Sequence, residues 1–225
     1  MIKNLLRGSV PALALAPLVA GAPAQAAPAP QPAVVTTLAD AVGLVKAVEE
    51  NRSGWTPSAF KHWTAGDLPS DGCDTRNEVL LAEAVDAPAV EAGCTLTGGA
   101  WVSYHDGQKV TGSSALDVIH TVPLVEAWGS GASAWTAARR EAYANDQGAA
   151  ASLAAVTART NRQRADRGPA DWLPPVPEAH CRYAGEWVAT KLRWQLTADD
   201  TEMEALKVLA EGPCEDVVVQ YTPAP

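Results

Sequence analysis

"LDVIHTVPLVEAW", Leu116 to Trp128, changes character twice within a short span. It opens apolar, reaches His120, meets Pro123 and then takes on helical character. With its preceding alanine, "ALDVIHTV" reads as a strand. "PLVEAWGSGASAWTAARREAYAND" continues as a helix, a Gly-rich break and a second helix, with Ser133 a candidate N-cap. Further on, "SLAAVTARTNRQRADRG" reads as a strand or turn leading into a helix through Asn161. A strand, a long helical excursion, a strand or turn, and a helix thus follow one another.

Around this stretch the chain alternates short strands and helices. Leu38, Val42, Val45 and Val48 recur at helical spacing and predict a helix over 36–50. "SAFKHW" suggests a short helical turn, and a helix is expected from about Thr75, with Val79, Leu80 and Ala82 inward. "CTLTGGAWVSYHDGQKV" alternates around Gly98-Gly99 and Asp106-Gly107, both hairpin-type pairs. "EAHCRYAGEWVATKLRW" is a strong helical pattern. Asp199 stands three residues before Glu202, a capping-box spacing, and Gly212-Pro213 stops the helix that follows. The expected class is α+β: a small β-sheet surrounded by helices.

The first residues read as an address. Lys3 and Arg7 precede a short apolar stretch broken by prolines, and Ala24-Gln25-Ala26 is a small-x-small cleavage pattern. A signal peptide over 1–26, a Pro/Ala linker over 27–35 and one domain over 36–221 are expected, for a secreted product without a membrane anchor. Loss of Lys3 and Arg7 makes the chain more acidic than its formal −9. Such a chain gains no long-range attraction to nucleic acid, and recognition of one would need a local basic patch. Cys73, Cys94, Cys181 and Cys214 all follow the signal, and none lies two to four residues from another, which argues for disulfides over zinc. Three pairings are possible. Cys73–Cys94 with Cys181–Cys214 is preferred because each bridge closes a local segment, for about 3 kcal/mol each in the chain-entropy model.

"FKHW", "DGCDTRNEVL", "WVSYHDG", "LDVIHTVPLVEAW", "SGASAWTAARREAYAND", "AVTARTNRQRAD" and "DWLPP…CRYAGEWVATKLRW" occur in this order. Together they resemble the secreted HNH-endonuclease-like family of bacteria and fungi, over about residues 36–214. The resemblance implies a ββα-metal core that hydrolyses phosphodiester bonds with Mg²⁺ or another divalent cation. Nucleic acid is the implied partner, DNA ahead of RNA, and the chain is expected to be a monomer. By this resemblance His120 is the general base, and Asn161 on the helix is a metal ligand. Asn145 matches a family Asn that orders the loop and is counted with the catalytic set. Arg162 and Arg164 face the substrate backbone, and Asp166 matches an Asp of the same short motif. The chemistry suits these residue types: a hard cation takes oxygen ligands and keeps waters, and an imidazole near neutral pKa can accept a proton from water.

The departure is Ile119, which stands where the family has a metal-binding Asp. Asp117 lies on the same side of the strand but about 7 Å away by strand rise. It is the remaining carboxylate for the metal, and without a bulge or register shift it cannot act from the family position. His62 is expected to pack or hydrogen-bond, His105 to be structural, His180 to be at a helix start, and Arg76 to sit in a buried salt bridge. Trp101, Trp128, Trp135, Trp172, Trp187 and Trp194 are expected in the core. The alternative function is a catalytically inactive exported binding domain that keeps the HNH-like fold. A serine hydrolase is disfavoured because no G-x-S-x-G occurs.

Overall fold

The computed structural model describes residues 31–225; the expected signal peptide and residues 27–30 of the expected Pro/Ala linker lie outside the described residues. In chain order the elements are β1 (Val34–Thr37), α1 (Leu38–Leu44), α2 (Thr75–Glu83), β2 (Ala89–Glu91), β3 (Thr95–Thr97), β4 (Ala100–Val102) and β5 (Lys109–Thr111). They continue as β6 (Leu116–His120), α3 (Leu124–Gly129), α4 (Ala137–Ala144), β7 (Leu153–Thr157), α5 (Ala158–Arg164), α6 (His180–Trp194), α7 (Asp200–Ala210) and β8 (Val218–Tyr221). The class is α+β, as expected. The strands form four separate two-stranded antiparallel ladders, β1–β8, β2–β3, β4–β5 and β6–β7. No helix among the described residues is long and apolar enough to cross a membrane.

The β6–β7 ladder and α5 form a ββα unit, with Asp117 opposite Val156 and His120 opposite Leu153. All of β7 is buried because both its faces are covered. On one side Leu116, Val118, Leu153 and Ala155 pack against Val79 and Leu80 of α2 and against Trp101. On the other, Ile119, Ala154 and Val156 pack with Tyr104. The Glu83 carboxylate accepts the Ala155 N–H at 2.9 Å, which occupies a ladder position that no strand fills.

A larger core joins α1, α6 and α7 through Leu38, Val42, Trp187, Val188 and Leu206. Both expected disulfides form: Cys73–Cys94 ties the start of α2 to the β2–β3 hairpin, and Cys181–Cys214 ties α6 to the turn after α7. Asp199 caps α7 by accepting the Glu202 N–H at 2.8 Å.

Several local expectations are corrected. The first helix spans 38–44 rather than 36–50, because Thr36 and Thr37 belong to a strand paired with β8 and Thr37 caps the helix. Val45 is already extended, Ala47 bridges Ala198, and Val48 is exposed. Strand β1 starts at Val34, inside the expected linker, and the packed chain passes residue 221, since the Ala224 N–H donates to Arg193 O. Ala82 is exposed. Gly98-Gly99 is not a hairpin turn, since it links β3 to β4 in different ladders. Gly99 has φ +73°, and a Cβ there would come 2.8 Å from Trp101 and 2.9 Å from Pro88. Thr136, not Ser133, caps α4 by accepting the Arg139 N–H.

Beneath α6 lies a buried cation. Lys191 Nζ donates to Glu126 at 2.8 Å, Glu202 at 2.6 Å, Ser130 at 3.1 Å and the Thr197 carbonyl at 2.7 Å. Glu202 is pushed up to about 7, by burial first. Lys191→Met is expected to cost about 3–5 kcal/mol at pH 8, because it leaves buried Glu202 without a cation and Glu126 with only the partly exposed Arg52. The loss should shrink at pH 5, where those carboxylates can take up protons. Urea unfolding at both pH values checks it; an equal loss at both would show that charge is not the cause.

Candidate functional site

His120 ends β6, and its ring is fixed from several sides. Nε2 lies 2.8 Å from the Ala144 carbonyl, to which it donates its proton. That bond leaves Nδ1 as the lone-pair nitrogen, the arrangement a base requires. The Trp63 ring stacks on one side at 5.1 Å with a 2° interplanar angle, and Tyr143 lies near-parallel at 6.2 Å and 16°. Burial, then the nearby His62 and Arg164 charges, push His120 down to about 4 against the Ala144 hydrogen bond. It is therefore neutral near pH 7 and able to accept a proton.

A cleft of about 560 Å³ opens beside this ring. Asp117, Ile119, His120, Asn161, His62 and Arg76 are among its lining residues. Asn161 Nδ2 donates to Asp117 Oδ2 at 2.8 Å. Three residues along α5, Arg164 donates to the His120 carbonyl at 3.1 Å and to the Thr121 carbonyl. Residues three apart share a helix face, so these bonds clamp that face of α5 along β6. The ladder and the helix thereby bring Asp117, His120 and Asn161 to one cleft.

The remaining sequence-named residues depart from their expected roles to different degrees. Asn145 does not reach the cleft. Its Oδ1 accepts the Thr64 N–H at 3.0 Å, and its Nδ2 donates to the Lys61 and Glu141 carbonyls at 2.9 and 2.8 Å. Those bonds bracket His62-Trp63, so Asn145 positions the loop that covers His120 and touches no reacting group itself. Arg164 was expected at the substrate. It is 1% exposed, with its guanidinium turned to main-chain carbonyls and to the rings of Trp172, Tyr183 and Trp187. Arg162 is exposed and lines a different cleft. Asp166 is exposed at the rim of the His120 cleft. Arg76 makes no salt bridge; it donates to the Leu116 carbonyl at 3.2 Å.

Sequence reasoning missed the enclosure of His120 by Trp63, Tyr143 and His62. The His62 ring lies 5.6 Å from that of His120, and its Nδ1 pairs with the Phe60 carbonyl at 3.0 Å. The signal was present in "FKHW", whose adjacent His and Trp were read only as a helical turn and packing.

The donor set decides how well a divalent cation would fit. Asp117 offers a carboxylate and Asn161 an amide oxygen. Ile119, 5% exposed and packed against Ala154 and Val156, offers none. Among the described residues no group of three or more His, Cys, Asp or Glu is arranged to hold a metal. One carboxylate and one amide fit a hard ion that keeps most of its waters, as Mg²⁺ does, and do not fit zinc, which wants four protein ligands or three with an open position.

His105 does not line this cleft; it is fully buried among Tyr104, Trp172 and Tyr183, with neither ring nitrogen hydrogen-bonded among the described residues. Burial, then the Arg164 charge, push it down to about 3.

A protein of Arthroderma benhamiae described as "Uncharacterized secreted protein" is 33% identical to this chain over 184 residues, covering 80% of this chain and 88% of the relative. The chain belongs to that protein's family. Two disulfides and a secreted relative agree that the protein is secreted. No family model matches the chain, and no solved structure matches it.

His105 yields a test of the electrostatics behind the site. Between pH 6.5 and 3 the unfolded His105 binds a proton that the folded one refuses, so its contribution is present above pH 6.5 and is lost as pH falls. By pH 5 the loss is about 2 kcal/mol. Glu83, pushed up to about 7 by burial, acts the opposite way between pH 7 and 4.5. His105→Phe should therefore flatten the acid side of the stability curve relative to wild type, read from thermal unfolding at pH 8 and pH 5. Parallel curves for the two proteins would refute the assignment.

Proposed function

We propose that this secreted protein is a phosphodiester hydrolase of the ββα-metal type, with His120 as general base. One observation carries the reading: a neutral imidazole, locked through Nε2 to Ala144, shares a cleft with the bonded pair Asp117–Asn161. A structural histidine needs no such company of oxygen donors at a cleft.

The chain's own residues would act as follows. Trp63 and Tyr143 hold the ring plane, so Nδ1 keeps one direction as substrate enters. Nδ1 takes the proton of an attacking water, and the Ala144 carbonyl, already bonded to Nε2–H, stabilises the imidazolium that results. Asp117 and Asn161 would hold the divalent cation. When bound, that ion supplies positive charge against the charge that builds on the phosphoryl oxygens. Arg76, at the same cleft, adds a fixed cation near the phosphate.

Plasmid cleavage with Mg²⁺ or Mn²⁺, with and without EDTA, tests this. Wild type should nick DNA only with metal. His120→Gln should lose about 10²–10⁴-fold in rate, the usual worth of a general base, and Asp117→Asn should raise the metal concentration required. Cleavage that survives EDTA or the His120 change would overturn the assignment. No cleavage by wild type would favour the second reading, an exported binding domain that keeps the fold; Ile119 is the observation on its side.

Ile119→Asp supplies a readout free of turnover. A carboxylate in that packed position costs a few kcal/mol unless an ion pairs with it. The variant should melt below wild type in EDTA and show a larger rise in Tm with Mn²⁺. An equal response to Mn²⁺ in both proteins would place the ion elsewhere.

A further inference from the structure

We propose that the cleft on another face of α5, gripped by Arg159 and Arg162, is the track for the phosphate backbone of the polynucleotide whose scissile bond lies at His120; this rests on the phosphodiesterase reading above. The cleft measures about 790 Å³ and has Lys109, Arg159, Arg162, Gln108 and Gln163 in its lining.

What sets it apart is the state of its cations. Arg52, Arg182 and Arg193 donate to carboxylates. Arg76, Arg139, Arg140, Arg164 and Arg167 donate to main-chain carbonyls. Arg159 and Arg162 are the arginines among the described residues with no such partner, and both line this cleft. They stand three apart on α5, where two like charges repel and cost a few tenths of a kcal/mol. A chain with 26 acidic residues and a formal charge of −9 leaves that pair uncompensated.

The other charged groups are weak competitors. Lys109 pairs with Asp86 at 3.1 Å, but both side chains are exposed, and such a pair is worth little and yields to a polyanion. Asp106 is the acid in the lining, and its Oδ2 is occupied by the Thr157 hydroxyl at 2.7 Å. Gln108 and Gln163 add neutral donors of the kind that contact phosphate and sugar.

The occupant follows from what α5 carries. Asn161 turns toward Asp117 and the His120 cleft, while Arg159 and Arg162 face the second cleft. A helix with its side chains is about 10–12 Å across. A polymer with a phosphate at every residue can cross it and have one phosphate at His120 and others at the arginines. Trp55 and Trp63 at the His120 cleft offer faces on which bases stack. A sulfated polysaccharide would find the charge but has no base for those rings.

Binding of a short fluorescein-labelled oligonucleotide by the full secreted chain, followed by anisotropy in EDTA as salt is raised, tests the track without turnover. Arg159→Gln/Arg162→Gln should bind more weakly and lower the slope of log K against log salt by about 1.4–1.8, the worth of two phosphate contacts. Both residues are exposed, so folding should survive, and circular dichroism verifies it. Arg182→Gln, outside the cleft, should leave the slope at the wild-type value. An unchanged slope in the double variant overturns the proposal, as does wild type that binds heparin but not the oligonucleotide. If wild type cuts DNA while the slope is unchanged, the track fails and the hydrolase reading stands. If the slope falls as expected but no metal supports cleavage, the hydrolase reading fails and the track stands.

Discussion

The site depends on one buried cation, Arg164. Among the described residues its guanidinium has no carboxylate partner. It is satisfied by the carbonyls of His120 and Thr121 and lies over the rings of Trp172, Tyr183 and Trp187. A charge this deep is tolerable only where dipoles and aromatic faces replace water. Because the carbonyls it takes are those at the end of β6, it fixes where that strand stops and how His120 leaves it. Its charge also helps hold His120 and His105 neutral, after the larger effect of burial. One side chain thus links the main core to the geometry and the protonation state of the candidate base.

Ile119 shows how strand alternation limits what a ββα site can tolerate. Asp117 and Ile119 point to the same side of β6, and Ile119 completes a packed layer with Ala154, Val156 and Tyr104. A carboxylate at that position needs an ion to justify its burial; an isoleucine needs only neighbours. Asp117, one strand repeat earlier, is half-buried and bonded to Asn161, so a carboxylate and an amide stand together at the cleft. The isoleucine there contributes packing and no oxygen ligand, and His120 keeps its place at the cleft.

Both disulfides, α6 and the cap of α7 were legible because each is a local pattern: periodicity, an Asp three before a Glu, cysteines that close short segments; the ββα frame was legible only through the family resemblance. The roles of Asn145 and Arg164 were not legible. In "TNRQRAD" the arginines differ only by position, and sequence alone does not say which helix face meets β6. The contact of Asn161 with Asp117 sets that face, and it sends Arg164 inward and Arg162 outward. The same holds for "TTLADAVGLVKAVEE", whose helical spacing is real but whose ends are claimed by pairing with β8 and by the bridge to Ala198.

A helix as short as α5 is not stable by itself. It exists because Thr157 caps it by accepting the Thr160 N–H, and because Asn161 and Arg164 fasten one face to β6. That fastening leaves the opposite positions free of structural duty, and Arg159 and Arg162 occupy them. The end of α4 works in the same economical way: the Ala144 carbonyl holds His120, and the next residue, Asn145, holds the loop that stacks Trp63 upon it. Two short helix segments therefore set His120, the Asp117–Asn161 pair and the exposed cations, and the larger α1–α6–α7 core serves to keep those segments where they are.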